Sequence, residues 1–267
     1  MRATNLVWLA GQLCVLLPWL HGQSGPSGQA LKTPVDTTPA SVGVSRPAES
    51  PPLLTPERRG DVYMARKWYR EAIEAYKEAP TGPVIWNKLG IAYHQMTDLN
   101  TAQKHYEKAL KLDPKYAEAR NNVGTVYYAR KSYRRAITEY KKALALNPNS
   151  ASIHSNLGTA YFARKKYKEA FEAYQQALNL DSEVFEHRSN YGVLLQERTV
   201  EERAKFHYFL AKTYAQAGMN ERALVYIRKS LEEGFSDRKK YLEDPEFAAL
   251  KEFPEFQALM ALEPRVL

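Results

Sequence analysis

Trp86-x-x-Leu89-Gly90-x-x-Tyr93, followed by Ala102-x-x-x-Tyr106, Ala109 and Pro114, is the stretch whose reading decides the fold. It decides the fold because it returns. Gly90, Gly124 and Gly158 stand 34 residues apart, as do Tyr93, Tyr127 and Tyr161. Ala102, Ala136 and Ala170 keep the same step, and so do Tyr106, Tyr140 and Tyr174. Let each unit be numbered so that Trp86 is its position 4. Positions 4, 7, 8 and 11 then share one stripe of a first helix, and positions 20, 24 and 27 one stripe of a second. Glycine at 8 and alanine at 20 let the two helices approach closely, and the tyrosines fill the space around them. Pro114 and Pro148, at position 32, end the second helix; Ser182 departs from that rule.

The pattern resembles the tetratricopeptide repeat, a helix–turn–helix unit, with Tyr106 where that family often has phenylalanine. The resemblance implies an all-α fold: a right-handed solenoid of antiparallel helix pairs. The array is expected over residues 53–237 in about five to six units, best defined over 83–184. Ahead of it, Gly60, Tyr63, Tyr69, Ala72, Tyr76 and Ala79 mark a degenerate first unit. Arg58 and Arg59 stand there where apolar residues belong, so its first helix is the weakest of the set. Beyond 184, two frames are open. Ala204, Tyr208 and Ala211 continue the period from Gly192, whereas His207, Leu210, Ala211 and Tyr214 would open a new hairpin. Helices are expected at about 184–197, 199–217 and 220–233.

The two ends differ from the array. Arg2 and the apolar run Leu6–Leu20 make residues 1–24 a signal peptide or an N-terminal anchor; the run is short of the roughly 20 residues a spanning helix needs. Residues 25–52, rich in Gly, Ser, Pro and Thr, are expected to be a disordered linker. Cys14, the single cysteine, lies in the apolar run, so a cleaved chain would contain no disulfide. These features point to an exported protein, periplasmic or extracellular, with membrane anchoring if the segment is retained. Residues 238–267 read as a C-terminal helical cap. There Asp244-Pro245-Glu246-Phe247 is echoed by Phe253-Pro254-Glu255-Phe256, each with proline at a helix start. Phe247, Leu250, Phe256 and Leu259 would either close the array's end or dock a partner.

Nothing in the sequence points to catalysis. There is no phosphate-cradling glycine loop, no Gly-x-Ser-x-Gly and no His-Glu-x-x-His. The histidines are scattered, and no metal or cofactor is expected. The aromatic content of 12% argues against disorder of the chain as a whole.

The candidate site lies at position 6, on a side of the first helix rotated away from the core stripe. Lys88, Asn122, Asn156 and Asn190 occupy it in successive units. Asparagine there resembles the asparagine ladder in the repeat domains of O-linked sugar transferases. That resemblance implies a concave groove in which side-chain amides hold an extended peptide by its backbone. An amide offers two donors and an acceptor, which suits a peptide bond whatever its side chains. Neighbours on the same wall would be Asn87, Asn121, Thr125, Tyr128, Thr159 and Phe162. The alternative is that these asparagines cap local backbone or bridge neighbouring units. A chaperone-type carboxylate clamp fits poorly, since Lys88 is the one basic residue among these positions.

Most of the net charge of +8 lies elsewhere. Arg66-Lys67, Arg130-Lys131 and Arg164-Lys165 fall at the turns between the helices of a unit and would form a basic ridge. Such a ridge suits an anionic surface. The expected role is an exported scaffold that binds a protein or peptide partner in the groove. Nucleic acid is not expected, and membrane contact is expected only through the N-terminus. A membrane-tethered accessory factor in envelope assembly or secretion, and a structural spacer without a groove ligand, are the alternatives.

Overall fold

The computed structural model describes residues 54–186 and 199–262. The expectations for the signal segment or anchor, the linker, Asn190 and most of the helix at about 184–197 lie outside the described residues.

Four helix pairs follow one another: α1 (Pro56–Ala65) with α2 (Tyr69–Glu78), α3 (Pro83–Gln95) with α4 (Leu99–Leu112), α5 (Ala117–Ala129) with α6 (Tyr133–Leu146), and α7 (Ala151–Ala163) with α8 (Tyr167–Leu180). Each second helix also packs on the next first helix, so the pairs stack. No strand occurs among the described residues. The helix starts follow local chemistry. Pro56 and Pro83 open α1 and α3, and the Thr55 and Asp98 side chains accept from the Arg58 and Thr101 N–H groups.

The turn inside each pair is built the same way. Lys67, Thr97, Lys131 and Lys165, at position 15, adopt φ of 62°, 62°, 58° and 59°. Each donates its N–H to the carbonyl three residues back, and the next residue donates to the carbonyl five back, as in Lys131 to Tyr128 at 2.8 Å and Ser132 to Tyr127 at 2.8 Å. This closure satisfies two carbonyls that the helix end would otherwise leave unbonded. In the first unit, Trp68 then stacks on Tyr63, with ring centroids 5.9 Å apart.

Inside each pair the position-8 glycine lies against the position-24 tyrosine. Gly60, Gly90, Gly124 and Gly158 face Tyr76, Tyr106, Tyr140 and Tyr174, and a Cβ at any of these glycines would collide with the ring. Ala72, Ala102, Ala136 and Ala170, at position 20, are fully buried. The first unit is complete despite its arginines. Its first helix has 10 residues where α3, α5 and α7 have 13, and the Arg59 guanidinium is neutralised by Glu78 of α2.

Of the two open frames, the described residues show the hairpin of the second; the partner helix of the first lies outside them. α9 (Val200–Gln216) begins at a capping box of Thr199 and Glu202 and forms an antiparallel hairpin with α10 (Asn220–Glu232). Tyr214 and Tyr226 stack across it at 5.3 Å. The C-terminal segment folds back on this hairpin through α11 (Lys240–Glu243), a 3-10 helix at Pro245–Leu250 and α12 (Pro254–Ala261). Phe247, Leu250, Phe256 and Leu259 are buried in the same core as Tyr208 and Ile227, so this apolar face is turned inward. Lys212 of α9 holds the segment by Asp244 at 2.9 Å and Glu246 at 3.1 Å, and Arg238 donates to the Leu259 carbonyl at 2.8 Å.

Candidate functional site

The first helices α3, α5 and α7 lie side by side along the stack, and asparagines fill the seam between them. Asn122 Nδ2 donates to Asn87 Oδ1 at 2.9 Å, and Asn156 Nδ2 donates to Asn121 Oδ1 at 3.1 Å. Asn121 Nδ2 in turn donates to Asn122 Oδ1 at 3.3 Å, and Asn87 Nδ2 to the Tyr116 hydroxyl at 3.4 Å. The four amides form one continuous rail across three units. All four are at most 8% exposed, and buried amides need such partners. The position-6 residue of one unit thus bonds the position-5 residue of the unit before.

Lys88 obeys the same rule with different chemistry. Its ammonium reaches Glu57, at position 5 of the first unit, at 2.7 Å and Asp61 at 2.8 Å. Burial works against the Lys88 charge, but the hydrogen bonds it donates to Asp61 and Glu57 outweigh it and hold its pKa above the ordinary lysine value. Lys88 is therefore an inter-unit tie rather than an open cation. Sequence reasoning missed Glu57 and Asp61. Their signal was present: Glu57 stands one residue ahead of the position-6 register, as Asn87 and Asn121 do.

The other wall residues divide. The Thr125 hydroxyl is committed to the Asn122 carbonyl at 2.8 Å, and that of Thr159 to the Ser155 carbonyl at 2.9 Å. Tyr128 is half-buried against Tyr133, at 5.1 Å. Phe162 is covered: the rings of Phe206 and Phe209 from α9 meet it edge-on at 5.5 and 5.8 Å, leaving it 4% exposed. His94 and Ser155 are partly buried, and Val84 is open. Burial holds the His94 pKa below the ordinary histidine value. Asn156 Oδ1, at the far end of the rail, accepts no hydrogen bond among the described residues.

The turn cations do not make an even ridge. Arg66 lies over the Trp68 ring at 5.2 Å, and Arg130 donates to Asn100 at 2.7 Å and to Gln103 of the preceding unit. Lys67, Lys131 and Lys165 are exposed, and Arg164 is half-buried. Met96 and Thr97 take the corresponding places in the second unit, so the row is interrupted there. Among the described residues no cluster of three or more His, Cys, Asp or Glu could hold a metal ion, and no helix is long and apolar enough to cross a membrane.

The tetratricopeptide repeat model matches residues 83–116 and 151–183, and a related repeat model matches 124–163. The first two intervals coincide with units marked by the glycine–tyrosine period. No curated protein matches the chain. Among solved structures, the chain is similar to MamA from Desulfovibrio magneticus RS-1 at 23% identity, over 67% of this chain and 92% of that one, with a TM-score of 0.45. A second MamA structure shares 24% identity over 65% and 93%, with a TM-score of 0.44. YrrB, described as a TPR protein with an unusual peptide-binding site, shares 18% over 47% and 67%, with a TM-score of 0.41. The chain thus carries tetratricopeptide repeats, stacked as consecutive antiparallel helix pairs.

Proposed function

We propose that the chain is an exported scaffold that binds a protein or peptide partner along the wall formed by α3, α5 and α7, and that it has no catalytic role. The observation that carries this reading is the amide rail. It locks three first helices at one pitch, so the same surface recurs unit by unit beside an extended segment. Val84, His94, Tyr128 and Ser155 border the rail and offer mixed apolar and polar contact. Asn156 Oδ1 offers an acceptor for a backbone N–H. At the near end Lys88 pairs with both Glu57 and Asp61, which leaves one excess negative charge there.

A second reading is favoured by the burial of the amides: the rail sets the pitch of the array, and the chain is a spacer with its ligand elsewhere. A photo-crosslinking amino acid placed at Val84 or Ser155, and in a separate protein at Glu172 on the outer face of α8, distinguishes the two. Crosslinks to one partner from Val84 and Ser155 but not from Glu172 are expected. Crosslinks from Glu172 alone, or from none of the three, would overturn the groove.

A further inference from the structure

We infer that the outer faces of α4 and α6 form a docking surface for an anionic lipid membrane, distinct from the wall on the first helices. Both helices carry an excess of cations. α4 carries three lysines to one glutamate, and α6 carries four cations to one glutamate. The helices on either side do not share this: α2 carries two cations to three glutamates, and α8 one to two. Lys104, Lys108, Lys111, Arg134, Arg135 and Lys141 are all exposed and make no salt bridge among the described residues. Glu139, the one acid of α6, is already claimed by Arg120 at 3.3 Å and Lys142 at 2.8 Å. Arg130, at the turn into α6, donates to Asn100 and Gln103 at the start of α4, tying the two units together along this side.

Apolar side chains complete the pattern. Leu112 and Leu146 end α4 and α6 at the same repeat position and are 58% and 39% exposed. Each lies one helical turn beyond a lysine on the same face, Lys108 and Lys142. A lysine-rich surface edged by open leucines suits headgroup phosphates above and acyl chains beneath. Lysine is a mobile point charge without the fixed fork of arginine, so it suits a fluid layer of phosphates better than a shaped acidic epitope. Lys108 and Lys141 hold their ammonium groups over the Trp86 and Tyr161 rings, at 4.4 and 5.8 Å, which leaves Lys104, Lys111 and Arg134 as cations of this face that make no ring contact among the described residues.

The test is flotation of the full chain with vesicles of phosphatidylcholine alone and of phosphatidylcholine with phosphatidylglycerol, at about physiological ionic strength. Binding at least about tenfold stronger to the anionic vesicles is expected. That preference should vanish in the triple variant K104E/K111E/R134E, which alters only exposed, unbridged cations. The Leu112→Ser/Leu146→Ser variant should keep the preference but bind several-fold more weakly. Circular dichroism of each variant separates misfolding from loss of docking, and a misfolded triple variant is replaced by K104Q/K111Q/R134Q. Equal binding to both vesicles, or an anionic preference that the folded charge variant retains, would overturn the proposal. So would competition by soluble polyglutamate or RNA with no effect of the leucine substitutions, which would point to an acidic macromolecule.

Discussion

Asn122 and Asn87, one unit apart, are joined by a 2.9 Å hydrogen bond in the place that Lys88 and Glu57 fill with an ion pair at 2.7 Å. The site is one geometric device with two chemistries. The ion pair sits where the first unit meets the second, and its side chains are 25% and 43% exposed. The amide pair sits deeper, where a charge would be costly. Replacing Asn122 by alanine removes its own amide and leaves Asn87 Oδ1 and Asn121 Nδ2 without partners. The expected loss is about 1–3 kcal/mol, most of it from the stranded groups. In urea unfolding, the double variant N87A/N122A should lose less than the sum of the single variants. Additive losses would show that the bond carries no coupling.

The glycine–tyrosine contact gives a sharper steric test. A Cβ on Gly124 would stand 2.5 Å from Tyr140 Cε1 and 2.7 Å from Cδ1, and Tyr140 is fully buried with nowhere to move. Gly124→Val is expected to destabilise by about 1–3 kcal/mol through overpacking. Combining it with Tyr140→Ala should recover part of that loss. An unchanged thermal midpoint for Gly124→Val alone would remove the close-approach account of the hairpin.

This contact explains why so much of the fold was legible in sequence. A ring against a bare backbone tolerates little substitution, so it repeats literally at 34-residue intervals. The rail was less legible because its partners stand one register position apart and change chemistry, from lysine–glutamate to asparagine–asparagine. Asn122 and Asn156 could be singled out, but not the atoms they serve. Phe162 looked open because nothing in the spacing revealed that Phe206 and Phe209 would return against it. The role of α9 was ambiguous for a related reason. Ala211 fits both frames, and it takes the packing of α9 on α10 to show the second of them.

Lys131 holds a left-handed conformation, φ 58°, that costs a side-chain-bearing residue about 1–2 kcal/mol. Gly218 fills the equivalent turn of the α9–α10 hairpin at φ 72° without that cost. Lys131→Gly should therefore stabilise the chain by about 0.5–1 kcal/mol once the greater freedom of glycine in the unfolded state is subtracted. Lys131→Val should destabilise it, because a β-branched residue suits that region least. A lower melting temperature for the glycine variant would contradict the turn assignment.

His94, His105 and His207 all have pKa values below the ordinary 6.5, in each case chiefly through burial. For His105 the charges of Lys108 and Lys77 add to this, and for His207 the nearby Glu233 opposes it. A depressed folded pKa means that the unfolded chain takes up protons first as pH falls. The stabilisation is thus fully present above about 6.5 and is lost as pH drops through the folded values. The urea midpoint should fall between about pH 7 and about pH 5. His94→Leu, which removes one of these groups from beside Tyr106, should lessen that fall. Equal midpoints at the two pH values would show that the histidines titrate alike in both states.

Phe247 tests whether the C-terminal segment is part of the array's core. Its ring is fully buried, 5.2 Å from Tyr241 and 6.0 Å from Tyr208, and Tyr208 is itself stacked on Phe235 at 4.6 Å. Truncation of such a side chain typically costs about 3–5 kcal/mol. Because stacked units couple only to their neighbours, the loss should fall first on α9, α10 and the segment beyond them. Hydrogen exchange on Phe247→Ala is expected to show faster opening of residues 200–261, with α3 to α6 little changed. Uniform acceleration along the whole chain would mean that the cap and the repeats unfold as one cooperative unit. Unchanged protection everywhere would mean that the segment is not needed to close the stack.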